Sequence, residues 1–323
     1  MPRVSIIINI RNGAEFLREA LDSVLAQSFS DWELILWDDR STDDSANIIR
    51  EYRDPRFRYY LSPDDTPLGE ARNRAIAQAT GEWLAFLDQD DVWLPPKLEK
   101  QLALANDPQV AIIYGRTVLF DKQHGSLRDY DYHHEFTLLP EGDLFSQLFS
   151  EACFIAMSSV MLRRSSVMEI GEIPNDVQVV PDWYLYLALS RRYRARAVQQ
   201  VVCRYRVHPG SMTTSHEHRL RLHQEPLWII REWVAQVDER IVHHRRKTFA
   251  TTLALEELKT ATTMAVGIRR LFVEGSWTWL LSRPFAIAWR AVRRKFRRPY
   301  WLATELASDP GCEKLATDVV SRR

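Results

Sequence analysis

The 323-residue sequence has little cysteine, no excess of charge of either sign and no long apolar run. Its three cysteines, Cys153, Cys203 and Cys312, lie far apart and form no C-x-x-C pair, so neither a disulfide framework nor a zinc site is indicated. The 43 basic and 43 acidic residues balance, which argues against general nucleic-acid binding. The longest run without Asp, Glu, Lys or Arg is Ala152–Leu162, which is too short for a transmembrane helix.

The first residues also lack the charged and then apolar leader of a secreted protein, because the apolar run Val4–Ile10 passes directly into a polar motif. With so few cysteines, this pattern favours a cytoplasmic location. A chain of this length can bury a large core and add a small second module.

Short apolar runs alternate with helical patterns through residues 1–115. The predicted strands are Val4–Ile10, Trp32–Trp37, Phe57–Leu61 and Trp83–Leu87. The first predicted helix is amphipathic, with the apolar stripe Leu17, Ala20, Leu21, Val24 and Leu25. The second covers residues 42–53 and is capped by Ser41. The third covers residues 69–80 and ends at Gly81 in a left-handed conformation. This alternation predicts a parallel sheet covered by helices on both faces. A further buried strand is expected within Ala152–Leu162.

Carboxylates directly follow two of these strands. The run Asp88–Asp91 (sequence DQDD) follows the fourth predicted strand, and the pair Asp38-Asp39 follows the second. Parallel strands end at one edge of a sheet, where α/β proteins bind ligands. Carboxylates this close repel one another unless a cation lies among them, most simply a hard divalent ion bridged to phosphates. The alternative is a polar turn in which Asp91 caps a helix near Pro95.

Seven stretches, in a fixed order, carry a more specific pattern. They are Val4–Ile8, Asn12–Phe29, Asp38–Ser45, Ala71–Ile76, Gly81–Pro95, Val180–Trp183 and Tyr205–Ser211. Together they resemble family 2 glycosyltransferases of the GT-A fold, over residues 3–215. The resemblance implies an α/β protein with a GT-A type, Rossmann-like mixed sheet flanked by helices, followed by a C-terminal helical extension. It also implies an inverting transfer from a nucleotide-sugar donor.

The same resemblance implies roles for eight residues. It makes Asp182 the catalytic base, assigns Asp90 and His208 to a divalent metal, Mn²⁺ or Mg²⁺, and assigns Asn9, Arg11, Asp39, Arg72 and Asp88 to the donor. In this scheme Asp39 accepts from the base, usually uracil N3–H, and Asp88 lies near the ribose. A UDP-sugar is the favoured donor. Thymidine and guanosine donors stay open, because Arg11 replaces the usual aromatic residue and Arg40 a frequent glycine.

Taken singly, several of these residues have simpler interpretations. Asp182 precedes an apolar helix and is then an N-cap, while His208 before Pro-Gly is a turn residue. Arg72 is then part of a solvated basic helix face. The other histidines, including His133 and His134, are interpreted as surface residues.

We divide the chain at residue 215. Residues 1–115 form the nucleotide-sugar half of the transferase domain and residues 116–215 the acceptor half, with Ser158-Ser159 resembling an acceptor wall; residues 216–323 form the helical extension. From Arg269 to Arg298 nine Lys or Arg residues stand against one acidic residue, interleaved with aromatics. This segment suits docking on an anionic membrane surface, the alternative being a helical cap packed on the core.

The sequence therefore predicts an inverting, metal-dependent glycosyltransferase of cell-surface polysaccharide synthesis. It would move a sugar from a UDP-sugar to a hydroxyl of a glycan or lipid-linked acceptor, in the cytoplasm or on the inner face of the cell membrane, with no nucleic-acid partner. One alternative is a nucleotidyltransferase acting on sugar phosphates, although the expected glycine-rich basic loop after the first strand is missing. The other is a catalytically silent sugar-nucleotide-binding module, which would have lost a metal ligand or the base.

Overall fold

The computed structural model of the chain describes residues 1–120, 130–133, 136–150, 153–208, 210–211, 225–226 and 229. The described residues up to His208, together with 225–226 and 229, form one compact unit. The predicted domain boundary at 215 and the basic, aromatic segment 269–298 lie outside the described residues, as does nearly all of the predicted helical extension 216–323.

The described residues build a nine-stranded mixed sheet. Its strands are β1 (Val4–Ile10), β2 (Trp32–Asp38), β3 (Phe57–Leu61), β4 (Trp83–Phe86), β5 (Val92–Trp93), β6 (Val110–Phe120), β7 (Tyr130–Asp131), β8 (Met161–Arg163) and β9 (Arg194–Arg206). Eight strands lie in the order β3-β2-β1-β4-β8-β6-β9-β5, and β7 pairs with β6 beside this row. The four strands predicted in residues 1–115 are confirmed within one residue at each end.

Strand direction decides which loops meet. β3, β2, β1 and β4 are parallel, and β8 runs antiparallel between β4 and β6. β6 and β9 pair in parallel. Because β8 is antiparallel to both of its neighbours, β6 and β9 run in the same direction as β4. The strands β1, β2, β4 and β9 therefore all end at the same edge of the sheet.

Helices accompany the strands along the chain. They are α1 (Leu17–Leu25), α2 (Ser45–Glu51), α3 (Leu68–Ala77), α4 (Lys97–Leu102), α5 (Phe145–Ser150), α6 (Arg164–Ile170) and α7 (Pro181–Ser190), with a 3₁₀ turn at Met157–Ser159. The predicted stripe of α1 is buried at Leu17, Ala20, Leu21 and Val24, whereas Leu25 is exposed. None of the described helices is both long enough and apolar enough to cross a membrane.

Two predicted helix ends are wrong. Ser41 does not cap α2, which begins only at Ser45; its hydroxyl accepts the Asn12 N–H at 3.0 Å, and its own N–H donates to Asp38 Oδ1 at 2.8 Å. Gly81 does not end α3 in the left-handed region, since α3 has already ended at Ala77. Glycine is required there for another reason. A Cβ at Gly81 would lie 2.6 Å from the backbone nitrogen of Ser5 in β1.

Beyond residue 115 one prediction is confirmed in part and one is corrected. The strand expected within Ala152–Leu162 is β8, which begins at Met161 after the 3₁₀ turn and extends to Arg163. His133 is buried rather than at the surface. Its Nδ1 accepts the Thr117 N–H at 3.2 Å, so its Nε2 carries the proton and donates to the Phe154 carbonyl at 2.8 Å. The neutral imidazole thereby ties β6 to the segment that enters the 3₁₀ turn.

Candidate active site

The ends of β1, β2 and β4 bring three loops together. The Asp39 N–H donates to the Ile10 carbonyl at 2.8 Å, which holds the loop after β2 beside the loop after β1. Gln89 joins the third loop, because its side chain accepts the Arg11 N–H at 2.9 Å and donates to the Arg11 carbonyl at 3.1 Å. A Cβ at Gly13 would lie 2.3 Å from Gln89 Oε1, so a larger residue there would displace the Gln89 side chain from these bonds. Sequence reasoning did not single out Gln89.

Asp39 is buried and already has partners. Its carboxylate accepts from the Thr66 N–H at 3.2 Å, the Thr66 hydroxyl at 3.0 Å and Arg11 Nη1 at 3.2 Å. Arg11 Nη1 also pairs with the exposed Asp65 at 2.7 Å, and this hydrogen bond raises the pKa of the guanidinium. The structure thus brings the predicted donor residues Arg11 and Asp39 into contact.

Two residues of these loops have left-handed backbone conformations. Asn12 has φ of 51° and Arg40 has φ of 61°, a region that residues other than glycine rarely occupy. Arg40 is the position where the family often has glycine, and its Nη1 donates to the Pro63 carbonyl at 3.0 Å. The backbone requirement therefore persists although the glycine is absent.

Arg72 is buried on α3, so it does not belong to a solvated helix face. Its Nη2 lies 3.4 Å from Asp88 Oδ1. Burial raises the pKa of Asp88 to about 6; Arg72 opposes this shift, and the carboxylates of Asp90 and Asp182 add to it. The Arg72 guanidinium therefore acts on two carboxylates, Asp88 and Asp182.

Asp90 and His208 form a close pair across the edge of the sheet. His208 Nε2 lies 2.9 Å from Asp90 Oδ2, and 18 % and 23 % of the two side chains are exposed. The His208 ring also packs on Phe16, with 4.7 Å between ring centroids. An oxygen and a nitrogen ligand facing each other suit a divalent cation. Within the described residues, no third His, Cys, Asp or Glu completes a metal site with them.

Asp91 does not cap a helix, because α4 begins only at Lys97. Asp91 is buried; its Oδ2 accepts from the Ser158 hydroxyl at 2.5 Å and its Oδ1 from the Arg206 N–H at 2.8 Å. Burial raises the pKa of Asp91 well above its usual range, and the neighbouring carboxylates add to the shift. Ser158, assigned from sequence to the acceptor wall, instead lies beneath the DQDD loop, where it also accepts the Asp88 N–H at 3.0 Å.

Asp182 is not the N-cap of α7, since Val180 holds that position. It lies one residue after Pro181 in the first turn and accepts the Trp183 N–H at 2.9 Å. Burial raises the pKa of Asp182, with Arg72 as the largest opposing influence. A carboxylate with a raised pKa is a better proton acceptor near neutral pH than an ordinary surface aspartate.

Asn9 completes the set of predicted residues. It is the last but one residue of β1, and its buried Nδ2 has no hydrogen-bond partner among the described residues. A buried donor without a partner is costly, and a ligand at this edge would satisfy it.

Sequence comparison places the chain among enzymes of one kind. The profile described as glycosyl transferase family 2 matches residues 5–171, which is more than half of the 323 residues. An Escherichia coli protein named UDP-Glc:alpha-D-GlcNAc-diphosphoundecaprenol beta-1,3-glucosyltransferase WfaP is 32% identical over 216 residues, which cover 67% of this chain and 81% of that protein.

Two solved structures are similar in fold. TarS residues 1–349 of S. aureus, in complex with UDP-GlcNAc, superposes with a TM-score of 0.60 at 17% identity, over 77% of this chain and 72% of that one. The mannosyltransferase PcManGT from Pyrobaculum calidifontis, in complex with GDP-Man and Mn²⁺, has a TM-score of 0.59 at 19% identity, over 92% of this chain and 88% of that one. At such identities the likeness shows the fold alone, and it confirms the predicted GT-A fold.

Proposed function

The chain belongs to glycosyl transferase family 2, and we propose that it is an inverting, metal-dependent glycosyltransferase that uses a UDP-sugar. The observation that carries the proposal is the meeting of three kinds of group at one sheet edge. These are the buried Asp39 carboxylate, the Asp90–His208 pair and the Asp182 carboxylate with its raised pKa. The relative WfaP is named for UDP-Glc and TarS was solved with UDP-GlcNAc, which supports uridine. PcManGT was solved with GDP-Man, so guanosine is the alternative to test.

The donor base is proposed to bind at Asp39. Thr66 and Arg11 hold this carboxylate in one orientation, ready to accept an N–H from the edge of the base. Arg11 contacts Asp39 and Asp65 through Nη1, so the remaining N–H groups and the planar face of its guanidinium are available to the base. The unpaired Nδ2 of Asn9 supplies a further donor at the same edge.

Asp90 and His208 are proposed to hold the metal. The chemistry of this pair fits Mg²⁺ or Mn²⁺, which proteins bind through one or two side chains together with substrate phosphates. A bound divalent ion would neutralise the charge that develops on the leaving nucleoside diphosphate. Arg72 adds a buried positive charge beside Asp88.

Asp182 is proposed to take the proton of the acceptor hydroxyl. Burial favours its protonated form, so taking up a proton removes the cost of keeping this charge buried. Attack from the side opposite the leaving diphosphate inverts the anomeric carbon.

The acceptor is proposed to be a glycan or a lipid-linked sugar of cell-surface polysaccharide synthesis. WfaP, as named, acts on GlcNAc linked to diphosphoundecaprenol, which is an acceptor held at a membrane. The basic, aromatic segment 269–298 suits docking at such a surface, but it lies outside the described residues, so docking and a cytoplasmic location stay predictions from sequence. Salt-sensitive co-sedimentation of the full chain with anionic vesicles tests the docking.

A screen of sugar nucleotides tests the function. UDP-, dTDP- and GDP-sugars are compared for thermal stabilisation with Mn²⁺ and with EDTA, and stabilising donors are then offered to glycan and lipid-linked acceptors. We expect Mn²⁺-dependent stabilisation by UDP-sugars, and a product whose anomeric configuration is inverted by NMR. Donor binding without turnover would favour a silent binding module. Formation of a sugar nucleotide from a sugar phosphate would favour a nucleotidyltransferase.

A further inference from the structure

Arg206 is a buried arginine that none of the proposed roles uses. It is the last residue of β9, two positions before His208, and its side chain is 1% exposed. Its Nε donates to the Asp90 carbonyl at 2.7 Å, and its Nη2 pairs with Glu19 Oε2 on α1 at 2.9 Å. The guanidinium therefore joins the backbone of one proposed metal ligand to a helix on the other side of the loop.

Aromatic rings confine this guanidinium and extend its influence to His208. The Arg206 carbon Cζ lies 4.5 Å from the Phe16 ring centroid and 4.3 Å from that of Phe120. Phe16 also packs on the His208 ring at 4.7 Å. The same phenyl ring thus contacts both the arginine and the proposed histidine ligand.

The main chain of Arg206 anchors the DQDD loop a second time. Its N–H donates to Asp91 Oδ1, while Asp91 Oδ2 accepts from Ser158, which in turn accepts the Asp88 N–H. The loop is therefore tied on one side to the 3₁₀ turn and on the other to the end of β9. Asp90, between these ties, has little freedom to move relative to His208.

We propose that Arg206 is a positioning residue that holds Asp90 and His208 at the separation required for the metal ion. The proposal rests on the proposed function, because it presupposes that these two side chains bind the cation. Partners that orient metal ligands typically change metal affinity by about 10- to 100-fold when removed. Lysine cannot replace arginine here, since one ammonium group cannot bond the Asp90 carbonyl and Glu19 together and lacks the planar guanidinium that contacts the two rings.

Arg163 offers a matched control at the opposite edge of the sheet. It also ends a strand, β8, and its guanidinium also lies on an aromatic ring, Trp83, at 4.4 Å. Its Nε donates to the Val110 carbonyl at 2.9 Å, and its Nη1 pairs with Glu82 at 3.2 Å. A purely stabilising role should make Arg163→Lys and Arg206→Lys behave alike.

The experiment compares the two lysine variants with the wild type. The readouts are the melting temperature, the Mn²⁺ concentration that gives half of the stabilisation by UDP, and the affinity for UMP without metal. We expect Arg206→Lys to raise the required Mn²⁺ concentration by about 10- to 100-fold and to leave UMP binding unchanged. Arg163→Lys should lower the melting temperature without changing the Mn²⁺ requirement.

A second variant covers the case in which Arg206→Lys does not fold. Glu19→Gln removes the ion pair but leaves Arg206 in place, and it should raise the Mn²⁺ requirement in the same direction by a smaller factor. An unchanged Mn²⁺ requirement in a folded Arg206→Lys variant, or in Glu19→Gln when that lysine variant is unfolded, overturns the positioning role. If wild-type protein shows no Mn²⁺-dependent stabilisation by UDP, the proposed function itself fails, and this outcome is distinct because it needs no variant.

Discussion

Buried carboxylates occur at both ends of the sheet, and their environments are opposite. Near the start of β2, Glu33 is 3% exposed and has several partners. Its Oε1 accepts from the Ser5 hydroxyl at 2.6 Å and from the Thr80 N–H and hydroxyl at 2.8 and 2.7 Å, and its Oε2 lies 3.1 Å from Arg58. Burial acts to raise the pKa of Glu33, but these partners outweigh it and lower the pKa.

At the carboxyl ends of the strands the balance is reversed. Burial raises the pKa of Asp88, Asp91 and Asp182, and neighbouring carboxylates add to the shift at the first two. Arg72 opposes the shift at Asp88 and Asp182 without cancelling it. Burial alone therefore does not fix the direction in which the pKa of a carboxylate is shifted. The number of donors and cations around it does, and the under-compensated group retains the capacity to bind a cation or a proton.

The largest expected effect comes from removing a proposed metal ligand. Asp90→Asn should lower kcat/KM by at least about 10³-fold, because metal ions contribute several kcal/mol of charge stabilisation and an amide is a poorer ligand for a hard cation. Steady-state kinetics and Mn²⁺ titration of UDP binding measure this. Glu33→Gln is the control at the other end of the sheet and should keep the wild-type rate per folded molecule. Wild-type turnover in Asp90→Asn would falsify the metal assignment.

Replacing the proposed base should affect turnover alone. Asp182→Asn cannot accept a proton, so kcat should fall by at least about 10²-fold, while UDP affinity and melting temperature change little. Kinetics, calorimetric UDP binding and a thermal melt on the same preparation separate these effects. A variant that melts early but keeps its rate per folded molecule would show that the base lies elsewhere.

Removing the charge of Glu33 should affect stability alone. Glu33→Gln should lower the free energy of unfolding by about 1–3 kcal/mol, because buried donors lose their ionised acceptor. The folded pKa is lowered, so this stabilisation is present above the usual Glu pKa of about 4.3 and is lost as the pH falls through the folded value. Urea unfolding at several pH values measures it. A difference from wild type that persists unchanged well below pH 4 contradicts the ionic origin.

The smallest expected effect is a gain in the free energy of unfolding. The folded pKa of Asp88 is raised to about 6, so the contribution of its protonated form is present below the usual Asp pKa of about 4 and is lost as the pH rises through 6. Asp88→Asn in EDTA should therefore stabilise the protein at pH 7.5, with no gain below pH 4. Because 38% of the side chain is exposed, solvent screens the effect and we expect about 1 kcal/mol or less. A loss of stability at pH 7.5 would show that the Arg72 pair dominates instead.

Local prediction was most reliable where apolar content alone decides the structure. The strand Val4–Ile10 matches its predicted bounds and is buried almost throughout. Phe57–Leu61 also matches; it lies at the edge of the sheet, only partly buried, and its aromatic residues favour a strand. Local prediction failed where a side chain has distant partners. Ser41 looked like a cap but binds Asn12 and Asp38, and Gly81 looked like a helix stop but makes room for Ser5. Asn12 and Ser5 lie 29 and 76 residues away along the chain, so the local pattern does not reveal them.

What the sequence determined by itself is the family, the four parallel strands and the placement of carboxylates at the ends of two of them, since all three depend on residue types in order along the chain. What only the tertiary structure decided is which charges meet. Asp90 and His208 are 118 residues apart and face each other at 2.9 Å because β5, which directly follows the DQDD loop, pairs antiparallel with the end of β9, Val92 opposite Arg204. The same packing places buried Arg206 against Asp90 and buried Ser158 against Asp91. Partner number and distance, which separate Glu33 from Asp88, are properties of that packing and not of any local run of residues.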